Sequence, residues 1–188
     1  MNSYLMKAAL VTMGLTLPAC ATMSDPMSTM VTVGGAPMYA SKNIIENAVN
    51  SADHTTLVAA VKAAGLVDTL SGPGPFTVFA PTNAAFAKLP AGTVDTLLQP
   101  ANRAMLTSVL TYHVVPGRIS ASNLMSMIRA GGGSARLTTV QGGILTARMM
   151  GDTVMLIDAK GSMSHVTQAN AFQSNGVIHV TDAVSIPG

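Results

Sequence analysis

A chain of 188 residues with 48% hydrophobic side chains carries enough apolar material for one domain with a sizeable core. Charged residues make up only 10% and aromatic residues 4%, with no Trp, which excludes a basic nucleic-acid surface and a base-stacking platform. The formal net charge of +2 includes Lys7 of a leader segment, and the nearly neutral remainder offers no electrostatic steering.

Residues 1–20 read as an export segment, because Lys7 precedes the apolar run Ala8 to Leu17, which is too short to span a bilayer. Two processing sites fit. Leu17-Pro18-Ala19-Cys20 resembles a lipobox and would keep Cys20 as a lipid anchor, whereas Ala19-Cys20-Ala21 fits the small-x-small rule of ordinary signal peptidase and would discard it. Cys20 is the only cysteine, so an intramolecular disulfide is impossible, and a lone thiol in an oxidising compartment favours acylation or removal. Lipid on Cys20 would attach the mature chain to a membrane without a transmembrane helix. Residues 21–40 are polar, Met-rich and punctuated by Gly34-Gly35 and Pro37, with no sustained period, and are expected to form a flexible tether. Their thioethers, Met23, Met27 and Met30, offer a Cu(I)-binding reading, set against Met as plain apolar filler.

Residues 41–188 are expected to form the folded domain, since no second linker or repeat follows. Ser41 can cap a turn that aligns Ile44, Ile45, Ala48 and Val49, and Asp53 can cap a longer helix with Leu57, Val61 and Ala64 on one face, stopped by Gly65. After the breaker Ser71 to Pro75 comes a β-prone run, Phe76 to Ala80, closed by Pro81, with Thr82 placed to cap a helix from Asn83 to Leu89. A further helix is predicted from Pro100 to about His113, running into Val114-Val115. Gly131-Gly132-Gly133 is a loop without the Lys-Ser/Thr of a phosphate cradle. The last third changes character: Arg136–Val140, Ile144–Met150, Thr153–Asp158, Val166–Phe172 and Val177–Val180 are β-prone and separated by the turn pairs Gly142-Gly143, Gly151-Asp152 and Asn175-Gly176. Such pairs supply positive φ cheaply, so antiparallel hairpins follow. Helices first and strands later indicate an α+β fold.

Three ordered segments then match a known family. Phe76-Thr77-Val78-Phe79-Ala80-Pro81-Thr82-Asn83-Ala84-Ala85-Phe86 resembles the first signature of fasciclin-like (FAS1) domains, and Ser174-Asn175-Gly176-Val177-Ile178-His179-Val180-Thr181-Asp182, followed by Pro187, resembles the second. Between them, Leu110-Thr111-Tyr112-His113-Val114-Val115-Pro116-Gly117 is similar to the family's Tyr-His segment. Thr181 and Ser185 stand where aliphatic residues are usual, and Asn170 where an acidic one is common. The resemblance covers about Ser41 to Pro187 and implies a FAS1-like wedge, a mixed or antiparallel β-sheet core flanked by helices. It also implies a secreted, periplasmic or envelope-anchored protein that acts in adhesion, with a cell-surface or matrix ligand, protein or glycan, as partner.

Two readings stand for Tyr112 and His113: ligand contact, as the resemblance implies, or packing at a helix-to-strand junction with satisfied polar tips. His179 takes the strand face opposite Ile178 and Val180 and reads as structural, as do Thr82 and Asn83 in a cap, Asn175 and Gly176 in a turn, and Asp182 bonded to backbone N–H groups of the turn that follows. No histidine sits in a nucleophile-base-orienter motif, and the sequence holds no HExxH, Cys pair or acidic EF-hand loop, so neither catalysis nor a metal or other cofactor is expected. The competing class is a periplasmic small-molecule carrier or enzyme using a cleft near Tyr112 and His113.

Overall fold

The computed structural model describes residues 30–188. The chain opens with two short strands, β1 (Val31–Val33) and β2 (Ala36–Met38), paired antiparallel. Four helices follow around one strand: α1 (Ile44–Ala48), α2 (Thr55–Ala64), α3 (Val67–Ser71), β3 (Phe76–Pro81) and α4 (Asn83–Ala87). Then come α5 (Thr93–Leu98), α6 (Arg103–Tyr112), β4 (Val114–Pro116) and α7 (Ala121–Ala130). The chain ends in strands β5 (Ser134–Thr138), β6 (Ile144–Met150), β7 (Thr153–Ile157), β8 (Met163–Gln173) and β9 (Gly176–Thr181). The α+β expectation holds, with helices α1–α7 all ahead of the closing run of strands β5–β9.

Seven strands form one sheet in the order β4-β3-β9-β8-β7-β6-β5. Only β3 and β9 run parallel; every other neighbouring pair is antiparallel. The sheet curls, because beyond β5 the Val140 N–H donates to the Val114 carbonyl at 2.7 Å and thereby ties one edge back to the other. Bulges along β8 let its 11 residues serve both halves, and Asn170 adopts φ 63 there. Helices cover one face of β3 and β9, packing Leu57, Val61, Leu106 and Leu110 against Val78 and Ile178. The alternate residue Phe79 turns into a second core with Leu124 and Ile128 of α7 and Leu137, Leu145 and Leu156 of the curled strands. Because both faces are covered, β9 is buried at every position.

Local expectations were met in part. Thr82 caps α4 by accepting from the Ala85 N–H, and Gly65 ends α2 in the left-handed region at φ 72. Ser41 is not the cap of α1; Asn43 is, in a reciprocal box with Glu46. Asp53 caps nothing: a 3-10 turn Ala52–His54 leads into α2, which has no side-chain cap. The helix expected from Pro100 begins with a 3-10 turn, Pro100–Asn102, and α6 follows. The tether expected over 21–40 needs correction at its end, where β1 and β2 bury Val33 and Met38 in the helix-side core. Cys20, Met23, Met27 and the expected leader lie outside the described residues; Met30 is the first described and is exposed.

Candidate functional site

The second signature segment is held by Asn175. Its Oδ1 accepts from the Ile44 N–H at 3.0 Å, and its Nδ2 donates to the Leu70 carbonyl at 2.8 Å and the Gly72 carbonyl at 2.9 Å. One side chain thus joins the β8–β9 turn to α1 and to the end of α3. Gly176 beside it lies so close to β3 that an added Cβ would meet the Phe76 carbonyl oxygen at 2.2 Å. Asn83 plays a matching part in the first segment, accepting from the Thr56 N–H at 3.0 Å and donating to the Ala52 carbonyl at 2.9 Å.

Tyr112 and His113 are both interior, with 0% and 2% of their surface exposed. The Tyr112 hydroxyl donates to the Ile144 carbonyl at 2.7 Å and accepts from the Ala159 N–H at 3.0 Å, which clamps α6 to the curled strands. His113 Nε2 accepts from the Ser185 N–H at 3.0 Å, so the proton sits on Nδ1, which donates to the Val109 carbonyl at 2.8 Å. The ring is therefore neutral and fully paired. Burial lowers its pKa, with the Val109 carbonyl and the charge of Asp158 opposing. The structure thus gives the junction arrangement, and no open cleft at Tyr112 and His113 for the carrier or enzyme reading. The physical reason is that Tyr112 packs in the core closed by Leu124 and Ile128 of α7, while the Ser185 main chain covers His113.

His179 stacks on Phe79 with ring centroids 5.6 Å apart, on the face opposite Ile178 and Val180. Its Nε2–H donates to the Ile119 carbonyl at 2.8 Å and Nδ1 accepts weakly from the Asn170 N–H at 3.4 Å, and burial again lowers its pKa against the pull of Ile119. Asp182 departs from expectation. Its carboxylate accepts from the N–H of His165, seventeen residues away on β8, at 2.7 Å, and lies 3.3 Å from the His165 ring, so it fastens two strands instead of the following turn. Partial burial alone would raise its pKa, but the His165 N–H, the His165 ring and Lys88 outweigh it and hold the carboxyl below its ordinary value.

His54 is a buried polar feature that the sequence alone does not single out. It is 2% exposed, its Nδ1 lies 2.8 Å from Ser51 Oγ, and its Nε2 forms no hydrogen bond. Burial lowers its pKa; the Ala80 carbonyl opposes this from nearby without reaching hydrogen-bond geometry. His54 and His113 both border a cavity of about 40 Å³, lined besides them and Lys62 by apolar side chains such as Met38, Ile44, Leu57 and Ile178. The paired buried histidines would be recoverable from sequence only by knowing that α2 and α6 pack together. Among the described residues there is no group of three or more His, Cys, Asp or Glu, and no helix long and apolar enough to cross a membrane.

A helix-covered, curled seven-stranded sheet whose central parallel pair carries the two signature segments defines a fasciclin-type fold. It superposes on a FAS1 domain pair from the insect cell adhesion molecule fasciclin I with a TM-score of 0.68 and 17% identity, covering 76% of this chain and 50% of that one. The Fasciclin domain family model matches residues 52–187, and the chain belongs to that family. Its relatives include protein sll1483 of Synechocystis, 45% identical over 82% of this chain and 79% of that protein. Immunogenic protein MPB70 of Mycobacterium bovis is 39% identical over 73% of this chain and 65% of its own, and the cell surface glycolipoprotein MPB83 of the same species is 34% identical over 89% and 76%.

Proposed function

We propose that the chain is a non-catalytic adhesion or ligand-binding module that works outside the cytoplasm, on a cell-surface or matrix ligand of protein or glycan type. One observation carries this reading: the marked polar side chains of the three family segments, Tyr112, His113, His179, Asn83 and Asn175, are engaged by the scaffold itself. Tyr112, His113 and His179 are buried and paired to main chain, and Asn83 and Asn175 stitch elements together. Ligand contact then falls to the outer surface. The chain's likeness to an insect cell adhesion molecule and to a mycobacterial cell surface glycolipoprotein supports the same setting. The carrier reading finds little support in the cavity at His54, because about 40 Å³ is far below the roughly 300–1,000 Å³ of ordinary ligand pockets.

The test is attachment of native cells lacking the protein, complemented with wild type, with Cys20→Ser, or with a chain lacking residues 21–29. Wild type should restore attachment. Cys20→Ser should fail if lipid holds the module at the envelope, and the trimmed chain should restore less if the tether supplies reach. The cut stops at residue 29 because β1 and β2 belong to the fold. Attachment that does not depend on the protein at all would overturn the proposal.

A further inference from the structure

The outer face of the curled strands carries a group of soft ligands that chain order hides. On β7 and β8, Val154, Leu156, Ser164 and Val166 point inward, so Met155, Ile157, Met163 and His165 share the solvent side. The register places Met155 directly opposite His165 and Ile157 opposite Met163. Met163 is therefore the same-face neighbour of His165 along β8 and the diagonal neighbour of Met155. Opposed Cβ atoms lie about 4.5–5.5 Å apart and diagonal ones about 7–8 Å, distances that two methionines and an imidazole close easily around one ion.

The imidazole is prepared for this role. Asp182 Oδ2 lies 3.3 Å from His165 Nδ1, and Oδ1 holds the His165 N–H at 2.7 Å. A carboxylate at Nδ1 keeps the proton there and leaves the Nε2 lone pair outward, which is the usual arrangement behind a metal-ligating histidine. Among the described residues Nε2 has no hydrogen-bond partner, and 38% of the side chain is exposed. Two charges flank the group besides Asp182. Arg148 stands opposite Met155 on β6 but is exposed and screened by water, and Lys88 shares Asp182 at 3.5 Å.

We infer that Met155, Met163 and His165 form a surface site for a soft monovalent metal ion, Cu(I) or Ag(I), with Asp182 orienting the histidine. Two thioethers and one imidazole select soft ions over Mg²⁺ or Ca²⁺, which require oxygen ligands. Asp182 gives the cation a nearby countercharge. The site is distinct from the Met-rich segment ahead of the fold, and it does not depend on the adhesion reading.

The experiment is titration of the full chain with Ag(I), followed by the methionine methyl resonances, and with Cu(I) under reductant against a chromogenic chelator. Every arm carries Cys20→Ser so that the thiol does not compete. One equivalent should bind with shifts of the Met155 and Met163 methyl signals. Met155→Leu with Met163→Leu should abolish that equivalent, and Leu at these outward positions keeps the volume and the fold. Met23→Leu, Met27→Leu and Met30→Leu together should leave it intact, and Asp182→Asn should weaken it about 10- to 100-fold. Unmoved Met155 and Met163 methyls at micromolar metal, or an equivalent that survives the Met155/Met163 double variant, would overturn the inference.

Discussion

Acidification should destabilise this fold in the histidine range, and the cause lies in three buried rings. His54, His113 and His179 all have pKa values lowered by burial below an ordinary histidine's 6.5. The folded state then binds fewer protons than the unfolded one below that value, so the stability is fully present above pH 6.5 and falls as pH drops. For His113 the structural reason is sharp: protonating Nε2 would turn its acceptor into a donor facing the Ser185 N–H. Each ring contributes at most about 1.4 kcal/mol per pH unit, a slope approached only well below pH 6.5, so three rings held neutral lose together at most about 4 kcal/mol between pH 7.5 and 5.5. That is a large share of the roughly 5–15 kcal/mol by which domains are stable. Asp182 does not blur the measurement, because a carboxyl held below its ordinary 3.8 costs stability only in much stronger acid. Urea unfolding followed by circular dichroism at pH 7.5, 6.5 and 5.5 would read the slope, and His113→Phe should remove about one proton's worth. A midpoint independent of pH between 7.5 and 5.5 would refute the neutral, buried assignment of all three rings.

Three further outcomes follow from the packing. Asn175→Ala removes three bonds that join the β8–β9 turn to α1 and α3, and should cost about 3 kcal/mol in denaturant unfolding, at about 1 kcal/mol per bond. Gly176→Ala drives a Cβ against the Phe76 carbonyl and Ile44 Cδ1, so a loss of about 2 kcal/mol or more is expected, with β3–β9 amides exchanging faster. Deleting residues 30–38 uncovers core now closed by Val33 and Met38 and should lower the melting temperature by about 2–4 °C for each kcal/mol lost, whereas deleting residues 21–29 should leave it unchanged.

What could be read from the sequence was what is local. Thr82 before an apolar helix and Gly65 after one each declare a cap within a few residues and are found there, whereas the turn expected on Asn175-Gly176 falls on Ser174-Asn175, with Gly176 already paired in β9 and not at positive φ. The β1–β2 pair escaped notice because two three-residue strands, one containing Pro37, are too short to show alternation, and their burial is decided by helices met later in the chain. Helix α7 was missed for a different reason. Its Ser and Asn residues dilute the good helix formers Leu, Met and Arg, and only Leu124 and Ile128, four apart behind the Ser120 cap, betray a buried stripe. Asp182 was placed on the nearest turn because sequence offers only near partners, and its partner is seventeen residues back across a bulged strand. His165 and Met155 were invisible as a pair for the same reason: only strand register makes them neighbours.

The family segments are placed where they bear on architecture more than on contact. Strands β3 and β9 form the only parallel pair among the described residues, lie between two cores, and carry both signatures. Any residue there has two buried surfaces to satisfy, which explains the use of Thr77, His179 and Thr181 for main-chain bonds that apolar side chains cannot supply. Thr77 shows the pattern: it is fully buried, donates to the Gly117 carbonyl at 2.6 Å and accepts from the Ile119 N–H at 2.9 Å, holding the chain between β4 and α7. A side chain so committed is a poor ligand contact, since freeing it would leave buried backbone groups unpaired at about 1–3 kcal/mol each. Specificity for a partner is therefore free to vary only on the outward positions of β5–β8 and the exposed helix faces, where substitution disturbs neither core. It is on that outward face of β7 and β8 that Met155, Met163 and His165 stand together.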